Sequence, residues 1–393
     1  MKKKLLISGG AYGDIPLIKS AKELGFHVIT TGNRPDELGH QYSDEYIAAD
    51  YSDKEALLKL AMDNEIDNIC SSCSDISAVS SAYVAEKLEL PGHDRYDIAL
   101  IMHNKDLFRR LCLENNISSP MAVSYNNLES ALKSTDTPPF PIIVKPVDMT
   151  GGQGVVRVDN SENLESALTN AFNSSKSKRV VVEEFLEGSY HGCSTFIISG
   201  KVVFCYTDDE YYFDTNKYRV GATSTPSIVP PSAIESIKLQ IEKIASLLNL
   251  SDGIFHLQFI LKSGTPFFMD LCRRLPGDLY PIIVKYATGV DYSSIAVKLF
   301  TGLPCSKIET PNNLGYFGRT NILCHSRGIF RNLTIDSSIK ENLLEQYMWV
   351  KPGDRIENID MPKFGIAFFK FKSMDEMTKK MNTISDLISI NVS

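Results

Sequence analysis

Apolar and polar positions follow two different rhythms over the first hundred residues. The apolar runs KLLISGG, HVITTG and NICSSC have the length and composition of strands. Three segments with apolar residues at helical spacing separate or follow these runs: 16–24, 54–64 and 76–88. This alternation predicts βαβ units around a parallel sheet, that is, a Rossmann-like α/β domain.

The pattern changes after Pro91, where a helical segment at 104–113 leads into an extended one at 117–123. The change predicts a domain boundary between residues 90 and 115. The apolar runs FPIIVKP and VVVEEFLEG then flank a helical segment at 163–173, which indicates a small α+β unit.

Strand pairs and helices are predicted for the rest of the chain. The segment FHLQFILKSGTPFFMDL has the pattern of a hairpin whose turn is Lys262-Ser263-Gly264. Three helices are expected: one at 231–248, a second that ends near Phe300, and a third at 374–387. We therefore divide the chain into three parts: 1–112, 113–188 and 189–393.

Composition limits the classes of function. Of the 393 residues, 43% are hydrophobic and 23% are charged, an ordinary mix that predicts a folded protein. Lys and Arg number 41 and Asp and Glu number 48, and the net charge of −7 argues against a surface that coats nucleic acid or an anionic membrane. A bound anion must therefore be held by local groups.

We expect a cytoplasmic protein that does not insert into a membrane. The apolar run after the N-terminal lysines covers only Leu5–Ile7, and no stretch approaches the roughly 18–20 apolar residues of a membrane span. Eight cysteines lie scattered in apolar contexts, which predicts reduced thiols. Cys70 and Cys73 form a CxxC pair without the second pair that a zinc site requires.

The glycine-rich turn Gly9–Asp14 follows the first predicted strand. Its spacing is not the GxGxxG of a dinucleotide site, and no clear acidic partner for a ribose follows the second strand. We predict that the loops of this sheet bind a different small ligand.

A phosphate site is predicted around Lys145. This lysine ends an apolar strand, Pro146 holds it in extended geometry, and the segment Thr150–Gly154 follows. Glycines allow consecutive backbone N–H groups to converge on phosphate oxygens. A lone turn of this kind is usually a plain hairpin, but the strand-borne lysine before it favours phosphate binding.

Carboxylates and an arginine end two other predicted strands. Glu183 and Glu184 close the run VVVEE, where they either serve a site or lie on a solvated edge. Gln258 and Asp270 lie on the paired strands of the predicted hairpin and share a face if the register allows, and Arg274 follows them. Oxygen donors beside an arginine suit a hard cation and a phosphate.

The order of these features resembles the ATP-grasp superfamily, in particular its carboxylate–amine ligases. The features are, in order, Asn104-Lys105, FPIIVKP with its glycine loop, VVVEEFLEG, and FHLQFI with FFMDLCRR. The resemblance covers most of the chain. It implies a Rossmann-like domain at 1–112 and a two-part ATP-grasp fold, with a small lid at 113–188 and a large catalytic subdomain at 189–393 that includes a C-terminal extension.

The resemblance implies that ATP and Mg²⁺ are bound. Lys105 and Lys145 would contact the α- and β-phosphates, and a loop would close over them through Gly151, Gly152 and Gly154.

It also implies how the adenine is held. The carboxylate of Glu183 would take the adenine amino group, and the backbone of Glu184 and Leu186 would pair with the adenine edge. Lys217 matches the family's lysine near the γ-phosphate.

The implied magnesium ligands are Asp270 and Gln258. The family usually has an acidic residue where Gln258 stands, an asparagine where Cys272 stands and a ribose-binding glutamate where Tyr190 stands. Gln offers a carbonyl oxygen without a negative charge, and a thiol is a poor magnesium ligand. Two alternatives stay open: magnesium held chiefly by Asp270 and the phosphates, or weakened metal binding.

The implied activity joins a carboxylate to an amine through an acyl phosphate, releasing ADP and phosphate. Arg274 would hold the carboxylate or the transferred phosphate, and His256 is a further catalytic candidate. The loops at Gly9–Asp14 and Ser74–Asp75 would recognise part of the acceptor. The expected partners are small carboxylates and amines, not nucleic acid or membrane; homodimers are common in such families, and the oligomeric state stays open.

Two other functions are compatible with these residues. Gln258 and Cys272 are compatible with a nucleotide-binding regulatory protein that has reduced or lost turnover. A carboxylase that uses bicarbonate is the second alternative.

Overall fold

The N-terminal part is a four-stranded parallel sheet with helices, as the alternating pattern predicts. The computed structural model describes residues 2–149, 151–213, 216–305, 308, 313–357, 359 and 363–393. The strands lie in the order β3-β2-β1-β4, and β1 pairs in parallel with both β2 and β4. The elements are β1 (Lys4–Ser8), α1 (Ile15–Glu23), β2 (His27–Gly32), β3 (Glu45–Ala48), α2 (Lys54–Asp63), β4 (Asn68–Ser71), α3 (Asp75–Leu88), α4 (Tyr96–His103) and α5 (Lys105–Glu114).

The middle part is a small antiparallel sheet in the order β5-β8-β6-β7. Alternate residues of β6 and β8 pack with α7 in one apolar core because successive side chains of a strand point to opposite faces. The elements are β5 (Ala122–Tyr125), α6 (Leu128–Lys133), β6 (Ile142–Pro146), β7 (Val156–Val158), α7 (Leu164–Ser174) and β8 (Val180–Glu184).

An eight-stranded sheet dominates the rest, in the order β13-β12-β9-β10-β11-β14-β18-β16. The predicted hairpin is confirmed: β12 and β13 pair directly, and Ser263 and Gly264 make the turn with φ of 48° and 81°. The elements are β9 (Ser189–Ile198), β10 (Lys201–Phe213), β11 (Asn216–Thr225), α8 (Pro231–Leu248), β12 (Gly253–Lys262), β13 (Thr265–Cys272), α9 (Tyr280–Thr288), α10 (Tyr292–Phe300), β14 (Tyr316–Leu323), β15 (Gly328–Ile335), α11 (Ser337–Lys340), β16 (Leu343–Met348), β17 (Arg355–Ile356), β18 (Lys363–Phe371), α12 (Met374–Met381) and β19 (Ile388–Val392).

The last predicted helix is too long. α12 ends at Met381, a 3₁₀ turn covers Ile384–Leu387, and β19 then pairs with β15. The helical periodicity continued across this region, but pairing with a strand more than fifty residues earlier decided its conformation. The domain boundaries at 112 and 188 stay a prediction.

Two further properties concern thiols and membranes. All eight cysteines are free. Among the described residues, no helix combines the length and the apolar character that crossing a bilayer demands.

Candidate active site

One cavity of about 500 Å³ brings together residues from all three parts of the chain. Its volume falls within the range of small-ligand sites. Residues of the N-terminal loops, the small sheet and the large sheet all contribute to its wall. The residues predicted from sequence that line it are Lys105, Lys145, Gly151, Gly152, Glu184, Leu186, Lys217, His256, Gln258, Asp270 and Arg274.

Lys145 and Glu183 form a buried charge network with Arg109. The Nζ of Lys145 lies 2.7 Å from Oε2 of Glu183, and Nε of Arg109 lies 2.8 Å from Oε1. Glu183 is fully buried, and the two cations are 4–6% exposed. Both carboxylate oxygens of Glu183 thus have a cationic partner within the protein. The contact of Glu183 with adenine stays a prediction.

Burial and charge shift the pKa values of this network in predictable directions. Burial lowers the pKa of Lys145 to about 8, with Arg109 and Lys105 adding to the effect and Glu183 opposing it. Burial by itself would raise the pKa of Glu183, but Arg109 and Lys145 outweigh it and the pKa is lowered. Glu183 is therefore ionised, and it holds the Lys145 ammonium at the cavity wall.

The glycine loop has backbone angles that favour glycine. Gly151, Gly152 and Gly154 have φ of 63°, 73° and 69°, in the left-handed region. A Cβ added at Gly152 would lie 2.4 Å from the carbonyl oxygen of Tyr218, whereas one at Gly151 would meet nothing within 4 Å. The loop therefore lies against β11 at Gly152. Thr150, predicted with this loop, lies outside the described residues.

Gly152→Ala is expected to disturb ATP binding more than Gly151→Ala. Both substitutions place a Cβ at positive φ, but only the first adds a collision with Tyr218, an overpacking cost of about 1–3 kcal/mol. The KM for ATP should rise roughly fivefold or more for Gly152→Ala, and by less for Gly151→Ala, the matched control. Equal KM values in steady-state kinetics would contradict this account of the loop.

Lys105 connects the loop to the acidic end of β13. Its Nζ donates to the carbonyl of Met149 at 2.8 Å and lies 3.4 Å from Oδ2 of Asp270. The Asp270 side chain is 43% exposed, so one face of its carboxylate is open to a ligand. Lys105 and Asp270 thus form an ion pair at the cavity wall.

Asp270 and Gln258 fit a hard cation. They are direct partners in the antiparallel register of β12 and β13, which puts both side chains on one face. No group of three or more His, Cys, Asp or Glu among the described residues could hold a metal by itself. The two side chains would therefore hold Mg²⁺ together with phosphate oxygens, as is common for this ion. Bound there, the ion would neutralise charge on the phosphates.

Arg274 joins two features that were separate in the sequence. Its Nε donates to Oδ1 of Asp75 at 2.7 Å, and its NH1 donates to the carbonyl of Leu275. Asp75 begins α3 in the N-terminal domain, so this ion pair ties the predicted acceptor loop to the predicted catalytic arginine. Burial opposes ionisation of Asp75, but Arg274 and His103 keep its pKa well below the usual range.

His256 lines the cavity, and its Nδ1 lies 2.7 Å from Oγ of Ser194. Burial, and then the positive charge of Arg274, lowers its pKa to about 3. The ring is therefore neutral at physiological pH and is a weak base. It suits hydrogen bonding better than proton transfer.

On the adenine side, the predicted backbone contacts are partly occupied. The N–H of Glu184 donates to the carbonyl of Met121 at 2.9 Å, and its Oε1 accepts from the N–H of Met121 at 2.8 Å. Leu186 is 2% exposed and faces the cavity. The roles of Glu184 and Leu186 stay predictions.

Sequence reasoning missed several cavity residues. Glu210 and Tyr212 lie on β10, where strand alternation could have revealed them. Arg319, Asp278 and Lys363 could not be linked from sequence. Lys363 pairs with Asp278, and Arg319 donates to the carbonyl of Asp278 at 2.9 Å.

These features define a class of fold: a small and a large sheet that enclose a cavity, beside a Rossmann-like domain. Residues 138–275 match the family described as "ATP-grasp domain".

Three relatives illustrate the similarity. A formate-dependent phosphoribosylglycinamide formyltransferase of Prochlorococcus marinus subsp. pastoris is 27% identical over 78% of each chain. A carbamoyl phosphate synthase large chain of Pseudothermotoga lettingae is 22% identical over 76% of this chain, which spans only 27% of that protein. The crystal structure of an L-amino acid ligase from Bacillus licheniformis shares the fold, with a TM-score of 0.82, 20% identity and coverage of 100% and 99% of the two chains.

Proposed function

We propose that the protein is an ATP-dependent ligase that joins a small carboxylate to an amine through an acyl phosphate. The observation that carries this proposal is the cavity where Lys105, Lys145 and the glycine loop face Asp270 and Gln258. The superfamily's ATP-dependent ligases among the relatives support it. Eight free thiols support a reducing, cytoplasmic setting.

In the first step, a substrate carboxylate oxygen attacks the γ-phosphorus of ATP, and the bond between that phosphorus and the ADP oxygen breaks. Catalysis of such a transfer is mostly positioning and stabilisation of charge. Lys105 and Lys145 would hold the α- and β-phosphates, and Lys217 and Arg274 would hold the transferred group.

In the second step, an amine nitrogen attacks the acyl carbon, the carbon–oxygen bond to phosphate breaks, and the nitrogen gives a proton to the departing phosphate. We assign the substrate end of the cavity to the region beyond Arg274. Arg319 and Lys363 line the cavity; Lys363 is paired with Asp278, so the Arg319 guanidinium is the group that favours a negatively charged substrate. Neutral His256 would orient a substrate group by a hydrogen bond.

The direct test supplies the pure protein with ATP, Mg²⁺ and a panel of carboxylates and amines, and measures ADP and phosphate together. A ligase forms both products in equal amounts only when an acid and an amine are present. Normal ADP binding without turnover on any pair would favour the regulatory alternative. ADP formation that requires bicarbonate and no amine would favour a carboxylase.

A further inference from the structure

Glu210 contacts Gln258, the residue that stands where the family usually has an acid. The side-chain amide nitrogen of Gln258 donates to Oε1 of Glu210 at 2.7 Å and lies 3.0 Å from Oε2. The hydroxyl of Tyr212 donates to Oε2 at 2.8 Å. The Glu210 carboxyl group thus accepts one hydrogen bond from Tyr212 on its own strand and another from Gln258 on β12.

A single glycine makes this contact possible. β9 runs between β12 and β10, and Gly192 of β9 is the register partner of Gln258 on one side and of Asp208 on the other. A Cβ at Gly192 would lie 2.3 Å from Oδ1 of Asp208 and 3.5 Å from Oε1 of Glu210. Because Gly192 has no side chain, the side chains of β12 and β10 meet across the intervening strand.

The contact fixes which end of the amide faces the metal position. Both oxygens of Glu210 accept hydrogen bonds, Oε2 from Tyr212 and Oε1 from Gln258, so this carboxyl group holds the NH₂ end of Gln258 and turns its carbonyl oxygen away. Asp270 is the direct register partner of Gln258 on the same face. The carbonyl oxygen is thereby left on the side of Gln258 that Glu210 does not occupy.

We propose that Glu210 is a positioning residue that holds Gln258 with its carbonyl oxygen ready to bind Mg²⁺ beside Asp270. It also supplies, from the far side of β9, an acidic side chain beside the position where Gln258 stands. This inference rests on the proposed function, because it assumes a magnesium–nucleotide complex in the cavity. It goes further than that function because Glu210, which is not itself a metal ligand, would control the affinity for the metal.

The test is a double-mutant cycle read by calorimetric binding of ADP at a series of Mg²⁺ concentrations, without turnover. Glu210→Gln makes both amide orientations available, so the apparent Mg²⁺ affinity should fall about tenfold, while ADP affinity without Mg²⁺ should persist or strengthen. Gln258→Glu should then improve Mg²⁺ affinity at least fivefold more in the Glu210→Gln background than in wild type. This is because the swapped pair restores one acid facing one amide.

The controls separate the possible failures. Glu242→Gln, on α8, should leave the Mg²⁺ titration unchanged. If Glu210→Gln does not fold, Tyr212→Phe takes its place: it removes the hydrogen bond from Tyr212 to Glu210 and should also weaken Mg²⁺ binding. Unchanged Mg²⁺ affinity in Glu210→Gln, or equal effects of Gln258→Glu in both backgrounds, overturns the positioning role alone. Wild-type protein that does not bind ADP overturns the proposed function as well.

Discussion

Replacing Lys145 with methionine is expected to weaken ATP binding by about 1.5–3 kcal/mol, a factor of roughly 10–150, the usual worth of a hydrogen bond to a charged group. Methionine keeps an unbranched apolar stem and removes only the ammonium. That ammonium lies at the wall of the cavity, where its Nζ is 2.7 Å from Oε2 of Glu183. The dissociation constant of ADP or of an ATP analogue, measured by calorimetry, checks the prediction.

The same lysine predicts a pH dependence. Its pKa of about 8 lies below the ordinary 10.5, so the ammonium is lost as pH rises through 8. kcat/KM for ATP should therefore fall on the basic side of about pH 8, and Lys145→Met should lack this limb. The folded protein binds fewer protons than the unfolded chain between about pH 8 and 10.5, so the contribution of Lys145 to stability rises over that window.

Two comparisons make the Lys145 prediction specific. Lys262→Met removes a lysine at the hairpin turn, outside the cavity, and should leave binding unchanged. Thermal melting must show that Lys145→Met is folded, because the substitution leaves Glu183 with Arg109 as its cationic partner. A folded variant with wild-type ADP affinity and an unaltered basic limb would remove Lys145 from the phosphate site.

Asp270→Asn is expected to lower kcat by about 10²–10³ and to raise the Mg²⁺ concentration needed for half-maximal nucleotide binding. The estimate is the usual effect of losing one group that stabilises charge in a transition state. Asn keeps the shape of the side chain but removes the charge, and its partner Gln258 is already neutral. With both residues neutral, the protein would contribute no carboxylate ligand from this register pair.

The readouts for Asp270 are the Mg²⁺ titration of ADP binding and the turnover of the substrate pair found in the panel. Asp386→Asn, an exposed aspartate near the C-terminus, is the matched control and should behave as wild type. The position of Lys105 offers an internal check, since its Nζ lies 3.4 Å from Asp270. ADP binding without Mg²⁺ should therefore persist or strengthen in Asp270→Asn, and an identical Mg²⁺ titration would argue against a metal role.

Local patterns in the sequence predicted the parts of the fold that depend on neighbours along the chain. The parallel sheet follows from alternating strand and helix periodicity, and the β12–β13 hairpin follows from its Ser263–Gly264 turn. The same hairpin register brought Gln258 and Asp270 to one face. Helix ends were less predictable: α12 stops at Met381 because the segment after it pairs with β15.

By itself, then, the sequence determined the types of element, the glycine loop and the set of cations and oxygen donors that suit a nucleotide. Only the tertiary structure decided their partners: Arg109 with Glu183, 74 residues apart, Gln258 with Glu210, and Arg274 with Asp75. The physical reason is that a buried charge must be paired, and the partner is whichever side chain the packing of the sheets brings within hydrogen-bonding distance. Local periodicity carries no information about that choice.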